Sequence, residues 1–114
     1  MDRRLHERLP ADFQVRVSEV GRPDFSASGQ VVDLSEAGIG VYLPLRFTLG
    51  SAVRLNIKDS VLYGFITYSK PERSYFRTGI EVVRVLIGGS DLSQLLKATL
   101  EEAMPDVEWL EALP

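Results

Sequence analysis

The stretch SGQVVDLSEAGIGVYL, residues 28–43, contains two apolar runs separated by a short polar segment. β-Branched residues recur in both runs, which is typical of short strands with a buried face. Between the runs, Asp33 and Ser35 offer side-chain oxygens that can cap backbone amides, and Gly38 can adopt a positive φ. The stretch therefore predicts a strand, a tight turn and a second strand.

The same pattern recurs along the first three quarters of the chain. Turn residues separate the apolar runs, among them Gly21-Arg22-Pro23-Asp24 and Lys70-Pro71-Glu72. Six short antiparallel strands imply a small closed barrel, so the predicted fold class is mainly β, a six-stranded antiparallel β-barrel followed by one helix. The strands are expected near residues 13–18, 28–34, 39–43, 52–58, 61–69 and 75–85.

The hydrophobic period changes near residue 90 and predicts a C-terminal helix over 90–104. Asp91 with Gln94 three residues later resembles a capping box, and Pro105 follows the expected end of the helix. We expect the apolar face to pack on an open end of the barrel, with a homodimer seam as the alternative. The residues of this face are Leu92, Leu95, Leu96, Thr99, Leu100 and Ala103.

Composition indicates one globular domain. The chain has 114 residues, 45% of them hydrophobic and 25% charged, which are ordinary values for a folded domain of this size. It has no cysteine, which excludes disulfides, thiolate metal sites and a cysteine nucleophile. Neither a signal peptide nor a membrane span is apparent, so we expect a cytoplasmic location without membrane insertion.

Charge is distributed unevenly along the chain. The net charge is −3, but residues 1–100 carry thirteen cations and eleven anions, ten of the cations being arginine. The excess of carboxylates lies in residues 105–114 and just before them, so we treat 105–114 as an acidic tail. Its simplest interpretation is a solvated chain end, and docking of a partner is the alternative. No arrangement of residues indicates catalysis: Glu101 and Glu102 are adjacent and diverge on a helix, and we predict no enzyme, cofactor or metal.

Two arginines precede the first strand, four residues apart, in the segment Arg4-Leu5-His6-Glu7-Arg8. We interpret residues 1–10 as an N-terminal arginine arm and 11–86 as the barrel. A guanidinium group binds phosphate oxygens through two parallel N–H donors, a fork, and can stack on a purine face. We therefore interpret the arm and the polar turn at 33–38 as the two halves of one site that binds anions and purines.

An Arg-xxx-Arg arm followed by Asp-x-Ser-x-x-Gly resembles the signature of PilZ domains, which are bacterial receptors for cyclic di-GMP. The similarity continues through the apolar strand after Gly38, through residues 50–57 and through Gly79-Ile80-Glu81. It covers roughly residues 3–85, and each motif alone is a weak signal, whereas their order in a strand pattern is more specific.

The resemblance implies a binding site for cyclic di-GMP and a role for each matching residue. Arg4 and Arg8 would bind phosphate and guanine, while Asp33 and Ser35 would contact guanine amines or phosphate. Gly38 would let the backbone approach the ligand closely. Arg3 occupies the position associated in this family with binding of a stacked pair of ligands rather than one.

The resemblance also implies how the domain transmits a signal to a partner. A stand-alone PilZ adaptor would bind cyclic di-GMP, order its arm against the barrel and present a new surface to an unidentified effector protein. One alternative is a ligand-independent protein-interaction module with a PilZ-like fold. A small β-barrel binding nucleic acid is less consistent with the acidic sequence pI of about 5.1 and the lack of a long basic stripe.

Overall fold

The computed structural model describes residues 13–111 and confirms the predicted fold class. Six strands form a closed antiparallel barrel, and one helix and a short seventh strand follow it. The elements are β1 (Gln14–Glu19), β2 (Arg22–Ser35), β3 (Gly38–Leu43), β4 (Ala52–Ile57), β5 (Ser60–Glu72), β6 (Tyr75–Ile87), α1 (Asp91–Ala103) and β7 (Glu108–Glu111).

Pairing between β3 and β6 closes the barrel. The strand order is β3-β2-β1-β4-β5-β6, and Ile39 to Leu43 of β3 pair with Phe76 to Ile80 of β6. Consecutive residues of a strand point to opposite faces of a sheet. Accordingly Ile39, Val41 and Leu43 fill the interior, while the residues between them face outward.

The barrel interior is a continuous apolar core closed by the helix. Leu96 and Leu100 are fully buried, and Leu92 and Ala103 pack partly buried against the core. The expectation that this face packs on the barrel is therefore confirmed, except that Leu95 points outward with 57% of its surface exposed. No helix within residues 13–111 is long and apolar enough to span a membrane.

Two predicted turns are wrong. The first hairpin turns at Val20 and Gly21, and Pro23 and Asp24 already belong to β2, which begins at Arg22. Likewise, β5 extends through Pro71 to Glu72, and the chain turns at Arg73 and Ser74 instead. Arg73 takes the positive φ of 59° that this tight turn requires. Proline is tolerated at both places because they lie near strand ends.

Ser90, not Asp91, caps the helix. The Ser90 side chain accepts a hydrogen bond from the Ser93 backbone amide, 3.1 Å away. The predicted capping box is absent because the side-chain Nε2 of Gln94 donates to the Gly88 carbonyl instead. The carboxylate of Asp59, in the turn between β4 and β5, accepts hydrogen bonds from the Ser90 amide and from the hydroxyls of Ser90 and Ser93. This turn thereby ties the helix to the barrel.

Part of the predicted acidic tail is a strand. Within 105–114, Glu108–Glu111 forms β7, which pairs in parallel with Arg84 to Ile87 of β6. Arg84 forms an ion pair with Glu108, with 2.9 Å between Nη2 and Oε1. The tail is acidic as expected, but backbone pairing and this ion pair dock it on the barrel.

Replacing Asp59 with asparagine is expected to lower stability at neutral pH. The Ser90 and Ser93 hydrogen bonds hold the pKa of Asp59 well below its ordinary value of 3.8, so the ionised carboxylate stabilises the fold fully above that value and progressively less below it. Urea unfolding should show the largest difference between wild type and Asp59→Asn near pH 7, narrowing below about pH 4. Asp24→Asn, an exposed carboxylate on β2, is the control; an equal response from both variants would contradict the role of Asp59.

Candidate functional site

The turn between β2 and β3 has the geometry expected for Ser35 and Gly38. The Ser35 hydroxyl accepts a hydrogen bond from the Ala37 amide at 3.1 Å. Gly38 has a φ of +133°, and a Cβ at this position would lie 2.1 Å from the carbonyl oxygen of Ile80 on β6. Glycine is therefore required here both by its backbone conformation and by the closeness of the neighbouring strand.

Asp33 does not cap a turn amide, contrary to the expectation from the sequence. Its Oδ2 forms an ion pair and hydrogen bond with Nη2 of Arg77, which lies on β6. The side chains of Arg77 and Asp33 are only 29% and 25% exposed, so the pair is half-buried. The carboxylate is thereby held by a cation that lies 44 residues away in the sequence.

Two glycines provide the space for this pairing. Asp33 on β2 is paired with Gly40 on β3, which is paired in turn with Gly79 on β6. A Cβ on Gly40 would lie 2.7 Å from Oδ1 of Asp33, and a Cβ on Gly79 would lie 2.2 Å from the ring of Tyr68. The outer surface of the sheet is therefore flat here, and the neighbouring side chains lie across it.

Aromatic and acidic groups surround the guanidinium of Arg77. The neighbouring Tyr68 side chain, together with the charge of Asp33, raises the pKa of Arg77 above its already high value. The Cζ of Arg77 also lies 5.9 Å from the centre of the Tyr42 ring, within the range of a cation–π contact. The Tyr42 hydroxyl donates to Glu72 at 2.6 Å, which raises the pKa of Tyr42. Arg77 is thus a fixed, permanently charged group.

The turn and the glycine surface border a shallow depression of about 70 Å³. It contains three of the residues that the sequence predicted for the site, Asp33, Ser35 and Gly38. Gly40 of β3 lies there as well. The other residues that line it are Ala37, Ile39, Thr67, Tyr68, Gly79 and Ile80.

A larger groove of about 520 Å³ lies on the other side of the same turn, but its charge disfavours an anion. Glu36, Glu81 and Asp106 contribute carboxylates to its lining, and all three residues are exposed. Like charges would repel a phosphate here. The smaller depression is therefore the better candidate for a phosphate-bearing ligand despite its size.

The predicted arginines of the arm, Arg3, Arg4 and Arg8, lie outside the described residues. The described chain begins at Phe13, whose carbonyl oxygen accepts a hydrogen bond from the Val31 amide at 2.9 Å. Since β1 and β2 are antiparallel, the chain before Phe13 joins the barrel beside the part of β2 that leads to Asp33. Arg8 is five residues from Phe13, a span of at most about 18 Å when fully extended.

Tyr68, which lines the depression, and Arg77, which pairs with Asp33, were not predicted for the site because the sequence indicates each as part of a strand. The sequence carried one signal for Arg77: Tyr75, Arg77, Gly79 and Glu81 alternate with apolar or buried residues and so share the outer face of β6. Arg77 is brought close to Asp33 by the pairing of β3 with β6, which closes the barrel. Strand alternation alone does not specify that pairing.

The structure is thus a closed barrel with a polar depression beside a glycine-containing hairpin turn. The chain belongs to the PilZ domain family, since the family model of the PilZ domain matches residues 2–95. No curated protein gave a match. PilZ domains are generally cyclic di-GMP-binding modules that act on effectors, and they are not a known enzyme family.

Proposed function

We propose that this protein is a cyclic di-GMP receptor in which the arginine arm closes over the depression at the β2–β3 turn. The observation that carries the proposal is the position of Phe13, which is hydrogen-bonded to Val31 only two residues before Asp33. The covalent connection to Phe13 would allow Arg4 and Arg8 to reach the turn. In this proposal the two sequence motifs, separated by more than twenty residues, form one site on the barrel.

The chemistry of the ligand matches these residues. Cyclic di-GMP carries two phosphates and two guanines, so a receptor needs cationic forks, acceptors for the guanine N1 and N2 donors, and a flat surface. Arg4 and Arg8 supply the forks, which bind phosphate oxygens or the O6 and N7 of guanine. Asp33 and Ser35 supply oxygen atoms, and Gly38 permits close approach of the ligand to the backbone.

The size of the depression supports a contribution from the arm. Pockets that bury a drug-sized ligand usually have volumes of about 300–1,000 Å³, whereas the depression measures about 70 Å³. The barrel alone therefore covers only a fraction of a cyclic dinucleotide. Closure of the arm would bury the remainder and create a composite surface of arm, ligand and barrel, which an effector protein would recognise.

Isothermal titration of the full chain with cyclic di-GMP tests this function. We expect a micromolar or tighter Kd, with two ligands per chain if Arg3 supports a stacked pair and one ligand if it does not. Binding should weaken only slightly between low and moderate salt, because few ionic contacts form. Single-stranded RNA is the comparison ligand, and a nucleic-acid binder would bind it with a steep salt dependence.

Absence of heat and of any shift in melting temperature with cyclic di-GMP would contradict the proposal. A ligand-independent interaction module would then be the better description of the chain. Preferential binding of the RNA would favour the nucleic-acid alternative instead.

A further inference from the structure

The ion pair between Asp33 and Arg77 places hydrogen-bond acceptors beside hydrogen-bond donors on the sheet surface. The carboxylate of Asp33 is acceptor-only, whereas a guanidinium has five N–H donors in a fixed plane. The ion pair uses Nη2 of Arg77 and Oδ2 of Asp33. The Asp33 carboxylate lines the depression and lies over Gly40, and Arg77 reaches the same carboxylate from β6.

We infer that Asp33 and Arg77 together read the Watson–Crick edge of one guanine, with Arg77 donating to O6 and so determining specificity for guanine over adenine. This inference rests on the proposed function and adds a ligand contact that lies outside the arm and turn motifs. Asp33 would accept the guanine N1–H and N2–H groups, and the neighbouring guanidinium would donate to O6. The Asp33–Arg77 contact then orients both groups for one base.

Adenine fits this arrangement poorly. Its Watson–Crick edge presents an acceptor at N1 and a donor at N6, so the N1 lone pair would face the Asp33 carboxylate and the N6 amine would face the Arg77 donors. Sites that are built to hydrogen-bond a particular group discriminate strongly against a ligand that leaves their buried polar groups unpaired. The half-burial of both side chains strengthens this discrimination.

Arg77 is well suited to hold its position in the free protein. Its guanidinium is fixed by Asp33 and lies against the Tyr42 ring. Little side-chain freedom is then lost when the ligand binds, which favours affinity. Arg84 lies further along the same strand and is ion-paired with Glu108, so it serves as a matched control away from the depression.

The test compares Arg77→Gln with Arg84→Gln by titration with three ligands: cyclic di-GMP, cyclic di-IMP, which keeps O6 and N1–H but lacks the N2 amine, and cyclic di-AMP. Wild type should prefer cyclic di-GMP to cyclic di-AMP by about a hundredfold or more. Arg77→Gln should weaken cyclic di-GMP and cyclic di-IMP by the same factor, about tenfold or more. Its effect on cyclic di-AMP should be small, and Arg84→Gln should behave as wild type.

Arg77→Lys keeps a cation beside Asp33 but lacks the guanidinium fork, so it controls for folding and should give an intermediate loss with the wild-type melting temperature. Equal weakening of all three ligands, unchanged selectivity, or tighter binding of cyclic di-GMP by Arg77→Gln would overturn the inference while the proposed function stands. Failure of the wild-type protein to bind cyclic di-GMP would overturn the proposed function, and the inference with it.

Discussion

Replacing Arg8 with alanine is expected to abolish measurable binding of cyclic di-GMP while leaving the barrel folded. A hydrogen bond to a charged group contributes about 1.5–3 kcal/mol, which corresponds to roughly tenfold to more than a hundredfold in affinity. Under the proposed function Arg8 contacts phosphate or guanine through a fork, so its removal eliminates more than one such bond. A micromolar ligand would then bind too weakly for calorimetry.

The matched control for Arg8→Ala is Arg54→Ala, which removes an exposed arginine from β4. Both variants lose one positive charge, so a general electrostatic effect of net charge would weaken binding equally in the two. We expect Arg54→Ala to bind as wild type and both variants to melt at the wild-type temperature. Wild-type affinity in Arg8→Ala would contradict the placement of the ligand under the arm.

Replacing Gly38 with alanine is expected to destabilise the fold strongly, on the order of 3 kcal/mol or more, because two costs add. The φ of +133° is unfavourable for any residue with a Cβ. In addition, the new Cβ would lie 2.1 Å from the Ile80 carbonyl oxygen, so the β2–β3 turn or β6 must move. Urea unfolding measures the loss.

Substitutions at two other glycines distinguish the cost of backbone strain from the cost of the contact with Ile80. Gly50 has a φ of +82°, but a Cβ there would meet nothing within 4 Å, so Gly50→Ala should lose only about 1–2 kcal/mol from backbone strain. A Cβ on Gly21 would likewise meet nothing within 4 Å, and its φ is not in the positive range, so Gly21→Ala should change stability by less than about 0.5 kcal/mol. A Gly38→Ala variant no less stable than Gly50→Ala would show that the contact with Ile80 carries no cost.

The barrel was predictable because its strands alternate. Val15 and Val17 of β1, and Val53, Leu55 and Ile57 of β4, are buried at every second position, and period-two burial distinguishes strands from helices in the sequence itself. Strand β7 was not predictable in this way. It has only four residues, Glu-Trp-Leu-Glu, and it pairs with β6 across the intervening helix α1, so tertiary pairing rather than local pattern forms it.

The candidate site was predictable only in part. Ser35 and Gly38 follow from local turn chemistry, since the hydroxyl bonds an amide two residues on and the glycine supplies the unusual φ. Asp33 belonged to the same motif, but its partner Arg77 depends on the closure of β3 against β6. A contact between two strands that are distant in sequence is set by barrel geometry, which no local spacing encodes.

The short parallel strand β7 also protects the sheet. Strand β6 is paired with β5 along one side, while its other side is covered by β3 as far as Ile80 and by β7 from Arg84 onward. Bare strand edges present rows of amides and carbonyls that recruit other chains into aggregates. By pairing with Arg84 to Ile87 of β6, which barrel closure leaves open, strand β7 hinders edge-to-edge association between copies of the protein.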